Sequence, residues 1–468
     1  MRHIAIAVTA VTVGLGAGCS IHTPSRNPKP PLEMADSFRS ANAEAPLPEQ
    51  WWKDFGDAQL DALVERALDG NFRLKGAFAR IEQARAVARQ AGSGKWPQIN
   101  AGAGASKSMS SFKFGDVEGE TKQQTYSLSL SAAYEVDIWK RISSAHTATE
   151  LDAAAARDDM EAMAMSLASE VSEAWFDLVM QRQRRALLTE QLQTNETFVE
   201  LVTLRFTQGL GASAVDVFQA RSQVTATRAQ LALVDALETV AAYRLAALMG
   251  KTPGSIELSD TAELPSLPSL PGTGVPADLL LRRPDVRAIR RRAEAADFRV
   301  ASAVADRLPK LSISAEGGYR GFALGDVFSS PFYNLAANLL GPVFDGGRRS
   351  AEVDRNRAVV DELMAAYGQT VLGALVEVDN ALVLEQGQLA YIAELEALVE
   401  ISTSTLAEAR NRYREGITDF LPVLTALRTL HVSEEQLLGA RRQLISYRIQ
   451  LCRALGGTWT ARLEGTAP

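Results

Sequence analysis

The sequence predicts an α+β membrane protein built as two tandem structural repeats, each combining one-sided strands with a pair of very long helices. Three observations predict it. Residue patterns in the first half recur in the second at a near-constant offset. Short stretches alternate Ser with apolar residues. From Trp139 to Phe206 there is neither Pro nor Gly.

The N-terminus comes first. Arg2 and His3 precede an apolar run from Ile4 to Leu15, and the small residues Gly16, Ala17 and Gly18 lead to Cys19. A basic start, a short apolar core and a small-residue site describe a secretory signal peptide over 1–18, too short to span a bilayer as a helix. The segment resembles the bacterial lipobox, which implies lipidation of Cys19. It departs from that pattern in having Gly16 three residues before the Cys, where Leu is preferred. Ser20 in place of Asp implies transfer to the outer membrane. Residues 19–60 then read as lipid anchor and outer linker, Pro-marked from Pro24 to Pro48. Cys452 is the other cysteine, so a lipidated Cys19 leaves no disulfide pair. Beyond the signal no run of roughly eighteen apolar residues occurs, so any crossing of a membrane falls to strands closed into a barrel.

The chain is written twice. The block RFTQGLGASAVDVFQARSQV from Arg205 matches RYREGITDFLPVLTALRTLH from Arg412, pairing Gly209 with Gly416, Arg221 with Arg428 and Gly250 with Gly457. Upstream, Pro97 pairs with Pro309, and Asp137 and Arg141 pair with Asp345 and Arg349. In each half a helical stretch (Phe72 to Lys95; Asp285 to Arg307) runs to a Pro that ends it. Alternation follows: Tyr126, Leu128 and Leu130 oppose Ser127, Ser129 and Ser131, and Leu311 and Ile313 oppose Ser312 and Ser314. That period of two is a strand with one apolar and one wet face. Polar or Gly-bearing loops are expected near Ser110 to Thr121 and Gly321 to Pro331.

Helices follow the strands. The Pro- and Gly-free stretch of about 68 residues reaches roughly 100 Å if it is one helix. Apolar residues recur every seven at Leu192, Val199 and Phe206, at Ile392, Val399, Leu406 and Tyr413, and at Leu430, Leu437, Leu444 and Leu451. Heptads predict coiled-coil packing, with reversals at Gly209 and Gly416. The first repeat therefore occupies 61–250, with strands about 97–137 and a helical hairpin about 139–250. An inter-repeat linker covers 251–278. The second repeat occupies 279–457, with strands about 309–345 and a hairpin about 347–457, and 458–468 form a C-terminal tail.

The segments WWKDFGDAQLDALVERAL from Trp51 and LLRRPDVRAIRRRAEA from Leu280, the paired prolines and the duplicated tips carry a resemblance. The chain resembles the TolC-like outer-membrane efflux factor family, and within it the OprM-like lipoprotein branch. That resemblance implies a homotrimer with four strands per chain. Three chains would close a 12-stranded β-barrel, continued by a long α-helical coiled-coil periplasmic barrel. It implies as partners a periplasmic adaptor (membrane fusion protein), an inner-membrane RND transporter and outer-membrane lipid. The expected function is a passive exit duct of a tripartite efflux system. Physical chemistry agrees on closure, because four strands leave two open edges that cannot face lipid. The alternative is a lipid-anchored periplasmic tether without a pore.

Other classes find little support. The net charge of −7 gives no electrostatic case for nucleic acid. Four His, at 3, 22, 146 and 431, show no metal-ligand spacing, and no nucleophile elbow or phosphate loop occurs, so neither an enzyme nor a cofactor beyond the N-terminal lipid is expected. The Arg cluster Arg282, Arg283, Arg287, Arg290, Arg291 and Arg292 reads as a solvated helix face paired with Asp285, Glu294 and Asp297. The resemblance places function at the hairpin tips. It implies a latch in which the Asp216 carboxylate accepts a hydrogen bond from Tyr413, although Asp216 also reads as a helix N-terminal residue. The family's acidic rings fall here on Pro422 and Thr425, so Asp419, Leu421 and Arg428 become the candidates for the constriction, Leu421 as an apolar ring. Gly209, Leu210, Gly416 and Ile417 match the adaptor-docking tips.

Overall fold

The computed structural model describes residues 22–34, 37–38, 49–115, 117–258, 263–273 and 275–466; the signal peptide and Cys19 lie outside them. The chain divides into two compact units. One gathers Arg80–Arg157 and Ala288–Gly368 with the residues up to Pro31; the other gathers Leu32–Ala79, Asp158–Arg287 and Gln369–Pro468.

The first unit holds the sheet. Strands β1 (Gln98–Phe114), β2 (Val117–Val136), β3 (Lys310–Gly321) and β4 (Pro331–Leu340) pair antiparallel in sequence order. The central pairing, β2 with β3, joins the two repeats. Register sorts the side chains by chemistry. Leu130 faces Ala101 and Gly317, while Leu128 faces Ala103 and Tyr319. Ile313 faces Tyr134 and Ala337, and Ala315 faces Leu335. Between these rows, Ser129 faces Gly102 and Gly318, and Ser131 faces Asn100 and Glu316. A one-residue slip would scatter both sets, so the pattern fixes the register. One face is apolar with Tyr126, Tyr319 and Tyr333 toward the loop end; the other is mainly Ser, Gly and Asn, with a few charged side chains among them.

The loop expected near Ser110 to Thr121 is instead regular ladder. Ser110 pairs with Thr121 and Phe114 with Val117, with positive φ at Gly115 in the turn. The alternation there is polar on both sides, and lack of an apolar row disguised a strand as loop. Beyond the level where Tyr126 meets Gly321, no third strand joins this ribbon among the described residues.

Helix starts in this unit are duplicated like the sequence. Asp137 accepts hydrogen bonds from the Ile142 and Ser143 amides (2.9 and 2.7 Å), and Asp345 accepts from the Gly347 and Arg349 amides (3.1 and 3.3 Å). These caps satisfy orphan donors of the two long helices. Trp139 ties the β2 end to the Pro309 carbonyl at 2.8 Å. The early Pro-marked segment is held by Asp297, which takes bonds from His22 Nε2 (2.5 Å) and the Ser25 amide (2.6 Å).

The helices repeat almost to the residue. α1 (Ala58–Gly70) is followed by α2 (Phe72–Ser93), and the first hairpin is α3 (Arg141–Thr207) with α4 (Ala214–Leu248). In the second repeat α5 (Pro284–Ala305) precedes α6 (Arg348–Arg414) and α7 (Phe420–Leu455). α2 and α5 each have 22 residues, α3 and α6 each have 67, and α4 and α7 have 35 and 36. The short helices begin where the return helices end: Asn71 Nδ2 donates to the Leu248 carbonyl (2.7 Å) and Arg283 donates to the Ala454 carbonyl (3.1 Å).

In the second unit, ion pairs tie the hairpins together. Arg442 joins α7 to Glu173 and Asp177 of α3, and Arg184 of α3 reaches Glu435 of α7 at 2.9 Å. Ile392, Leu395, Ala440 and Leu444 form the α6–α7 seam. Farther along α7, Cys452 is buried, and burial pushes its thiol up to about 12, which suits an inert packing residue.

Several expectations need correction. The linker 19–60 ends too late: Trp51–Phe55 is a 3₁₀ turn whose Trp51 and Trp52 are buried, Asp57 caps α1, and Trp175 Nε1 donates to Asp57 at 2.6 Å. At the start of the tail 458–468, Trp459 is buried with its ring 4.8 Å from that of Trp52. The inter-repeat segment is also anchored, since Arg448 Nη1 donates to the carbonyls of Pro268 and Ser269 (2.6 and 3.1 Å) while its fork binds Glu385. The Arg cluster is not simply a solvated face. Arg283 is buried and binds Asp285 and Glu377, and Arg287 binds Asp158 and Glu161. Finally, α6 contains a window apolar enough on composition to cross a bilayer, with a mean hydropathy of 1.2. Its charges are diluted rather than absent, which is why no unbroken apolar run announced it. Leu372, Val376, Val383 and Leu389 on this helix are exposed in the single chain.

Candidate functional site at the hairpin tips

Both tips reverse through the same device. At the first, Gly209 takes φ 69°, its amide donates to the Phe206 carbonyl (3.2 Å), and the Leu210 amide donates to the Arg205 carbonyl (2.8 Å). At the second, Gly416 takes φ 75°, with Gly416 to Tyr413 at 3.1 Å and Ile417 to Arg412 at 2.9 Å. This is the Schellman closure, and a left-handed residue is what it demands. It leaves Leu210 and Ile417 exposed at the ends. They would bury against a partner what they cannot bury at home.

The return helices start differently. Ser213 and Asp216 form a capping box on α4: the carboxylate accepts from the Ser213 amide and hydroxyl (both 2.8 Å), and Ser213 Oγ accepts from the Asp216 amide. Asp419 stands at the N-cap of α7 without a side-chain cap bond, exposed beside exposed Leu421. Pro422 sits in that first turn, where an amide has no intrahelical partner to lose.

Four helices meet just inside the tips. Phe198 and Val202 of α3, Val217 of α4, Tyr413 of α6 and Phe420 and Leu424 of α7 share one buried cluster. The expected latch is absent from it. Asp216 is engaged in its capping box, and Tyr413 Oη is buried with no hydrogen-bond partner. The local box outcompetes the longer-range bond because it costs no additional ordering. Burial pushes the Tyr413 phenol up; nearby Arg205 opposes this, and the Asp216 carboxylate adds to the rise. So Asp216 is near enough to matter electrostatically without bonding.

Arg205 does the joining instead. Its guanidinium lies over the Tyr413 ring, 4.7 Å from the centroid; Nη1 donates to the Arg414 carbonyl (3.1 Å) and Nη2 to the Leu210 carbonyl (2.9 Å). One side chain of α3 thus grips the first tip and the end of α6 together. A second bridge forms higher up, where Arg428 Nε of α7 donates to Gln223 Oε1 of α4 at 3.0 Å. Arg428, expected at a constriction, therefore ties one hairpin to the other. In the sequence Arg205 stands out only as a marker of the repeat. Its acceptors are backbone carbonyls and a ring, which leave no signature in residue type. Its repeat-mate Arg412 is exposed and lines an open groove of about 830 Å³ on α6 and α7 with Ala397, Ile401, Thr405, Thr418 and Pro422.

Farther along the same hairpins, His431 of α7 is buried with Nδ1 unpaired. Burial pushes its imidazole down to about 4. Among the described residues no group of His, Cys, Asp and Glu is arranged to hold a metal ion.

Comparison with known proteins gives a consistent picture. The model of the family described as "Outer membrane efflux protein" matches residues 63–251 and 275–457, two blocks that follow the two repeats. The chain is 31% identical over 427 residues to the pyoverdine export outer membrane protein OpmQ of Pseudomonas aeruginosa, covering 89% of each. It is 28% identical to the toluene efflux pump outer membrane protein TtgF of Pseudomonas putida, covering 96% of each. Among solved structures, the outer-membrane channel OprN superposes with a TM-score of 0.89 at 28% identity, over 94% of this chain and 100% of that one.

Proposed function

The chain belongs to the outer membrane efflux protein family, and from that premise we propose that three copies close a passive exit duct worked by a periplasmic adaptor and an inner-membrane RND transporter. Membership makes the protein an outer-membrane efflux channel, and this favours a pore over a tether. The observation that carries the duct reading is the register of the sheet. Apolar rows lie on one face and Ser, Gly and Asn rows on the other, while β1 and β4 each leave one edge bare. Lipid tolerates neither bare edges nor a wet face, and closure by identical neighbours removes both problems. The exposed apolar residues of α6 support the same closure among the helices.

In this reading a lipid on Cys19 tethers the chain, and the Tyr126, Tyr319 and Tyr333 end of the apolar face lies toward the outer leaflet. The tips, with Leu210 and Ile417 exposed, receive the adaptor, whose helices also find the groove beside Arg412. The Arg205 clamp holds the periplasmic end narrow, and Leu421 and Asp419 line the narrowing. Cargo selection rests with the pump. The relatives' names speak of pyoverdine in one case and toluene in another, and a wall of small polar residues distinguishes neither.

Purified protein in planar bilayers tests the proposal. Heat-resistant trimers that conduct in steps are expected. Monomers, or trimers that stay silent even when Arg205 is replaced, would overturn it.

A further inference from the structure

We infer that Arg320 and Glu316 form two opposed charged rings on the water-facing wall of the barrel, with Arg320 the outermost selectivity element of the duct. The inference deepens the duct reading and rests on it. Register puts Glu316 opposite Ser131 and Asn334, and Arg320 opposite Ser127, all on the wet face. Two other charges on that face lie at its helix end and are neutralised there: Glu135 by Arg141 (2.8 Å) and Lys310 by Asp306 (2.7 Å). Glu316 and Arg320 are exposed and have no ion-pair partner among the described residues. Arg320 is positioned rather than free, its guanidinium lying over the Phe332 ring at 4.8 Å and its amide donating to the Ser330 carbonyl at 3.0 Å. Phe332 is itself on the wet face, where an aromatic ring has no burial to gain except by carrying that guanidinium.

Four residues separate the pair along β3, about 13 Å of strand and roughly 10 Å of barrel height at the usual tilt. Since β3 runs away from the helices, Arg320 is the outer ring. Threefold closure gives three positive charges at the mouth and three negative ones below. A barrel of twelve strands spaced ~4.8 Å has a backbone radius of ~12 Å, and side chains reaching roughly 5 Å inward bring each charge within about a Debye length of the axis at physiological salt. The Arg ring then enriches monovalent anions and depletes cations by about 2–3-fold each. An anionic cargo leaves through a mouth that attracts it, and external cations meet a barrier before they reach the Glu316 ring.

The test is the reversal potential of full-length trimers in a KCl gradient. Arg320→Gln should raise the cation-to-anion permeability ratio by roughly 4–9-fold near 0.15 M salt and far less at 1 M. Glu316→Gln should lower the ratio. Water-borne charged thiol reagents should also alter the conductance of Arg320→Cys but not of Leu128→Cys, which faces lipid. If the wild type conducts and both charge variants keep its ratio, the ring assignment is wrong. If the wild type never conducts, the duct reading itself fails.

Discussion

Replacing Arg205 with Ala should loosen the periplasmic end, and the size of the effect follows from three contacts. The guanidinium makes two charge-assisted hydrogen bonds, to Arg414 and Leu210, and one cation–π contact with Tyr413. Both hydrogen bonds are solvent-exposed, so each is discounted to about 1 kcal/mol, and the ring contact adds about 0.5–1 kcal/mol. The sum, about 2–3 kcal/mol per subunit, shifts the balance between a joined and a released hairpin tip by roughly 30–150-fold. Arg205→Lys retains charge without the fork and should fall between. Arg412→Ala removes the repeat-equivalent side chain, which makes no such clamp, and should change the balance less than about twofold. Open probability of single trimers reads this directly, and entry of a bulky antibiotic into cells carrying each variant reads it independently. The reasoning fails if folded Arg205→Ala trimers are as closed as wild type, or if Arg412→Ala opens them equally.

Other expectations concern stability and assembly. Glu385→Ala strands Arg448, both being nearly fully buried, so unfolding should become easier by about 3–5 kcal/mol; the Glu385→Leu, Arg448→Met pair should recover much of that loss, and denaturant titration compares them. Gly318→Ala places a Cβ about where the Leu128 carbonyl oxygen stands, 2.1 Å away and part of the backbone, so β2–β3 pairing should break and heat-resistant trimers should disappear from gels. His431 carries a folded pKa near 4, below its unfolded value, so the unfolded chain binds more protons between about 4 and 6.5 and stability falls as pH drops through that window. Discounted for solvent screening, the loss is about 1–2 kcal/mol. Glu434, pushed up chiefly by burial, opposes it, and His431→Phe should flatten the acid side of a melting-temperature profile.

Much of this architecture was legible in the chain because its signals are periodic. The duplication, the Ser/apolar alternation and the unbroken 67-residue helices each repeat a rule many times. The glycines of the tips were legible for a different reason: a tight reversal after a long helix leaves few other choices. What stayed hidden was decided by tertiary partners. The polar ladder from Ser110 to Thr121 lacked an apolar row. Asp216 had two available bonds, and only folding showed that the local one wins. Arg205 and Arg412 occupy the same place in their repeats, yet one clamps and the other lines a groove, a divergence no motif spacing could reveal. Trp459 reads as part of a tail because its packing surface is Trp52, about four hundred residues away in the chain.

The central pairing of β2 with β3 also sets a timetable. Tyr126 finds its partner in Gly321, so the whole first hairpin and the inter-repeat segment must emerge before the sheet can grow past its second strand. Until then the β2 edge stays bare while the nascent chain is still being exported. Closing so long a loop is slow, and bare edges invite wrong partners. Biogenesis must therefore shelter a half-built sheet for as long as the second repeat takes to arrive.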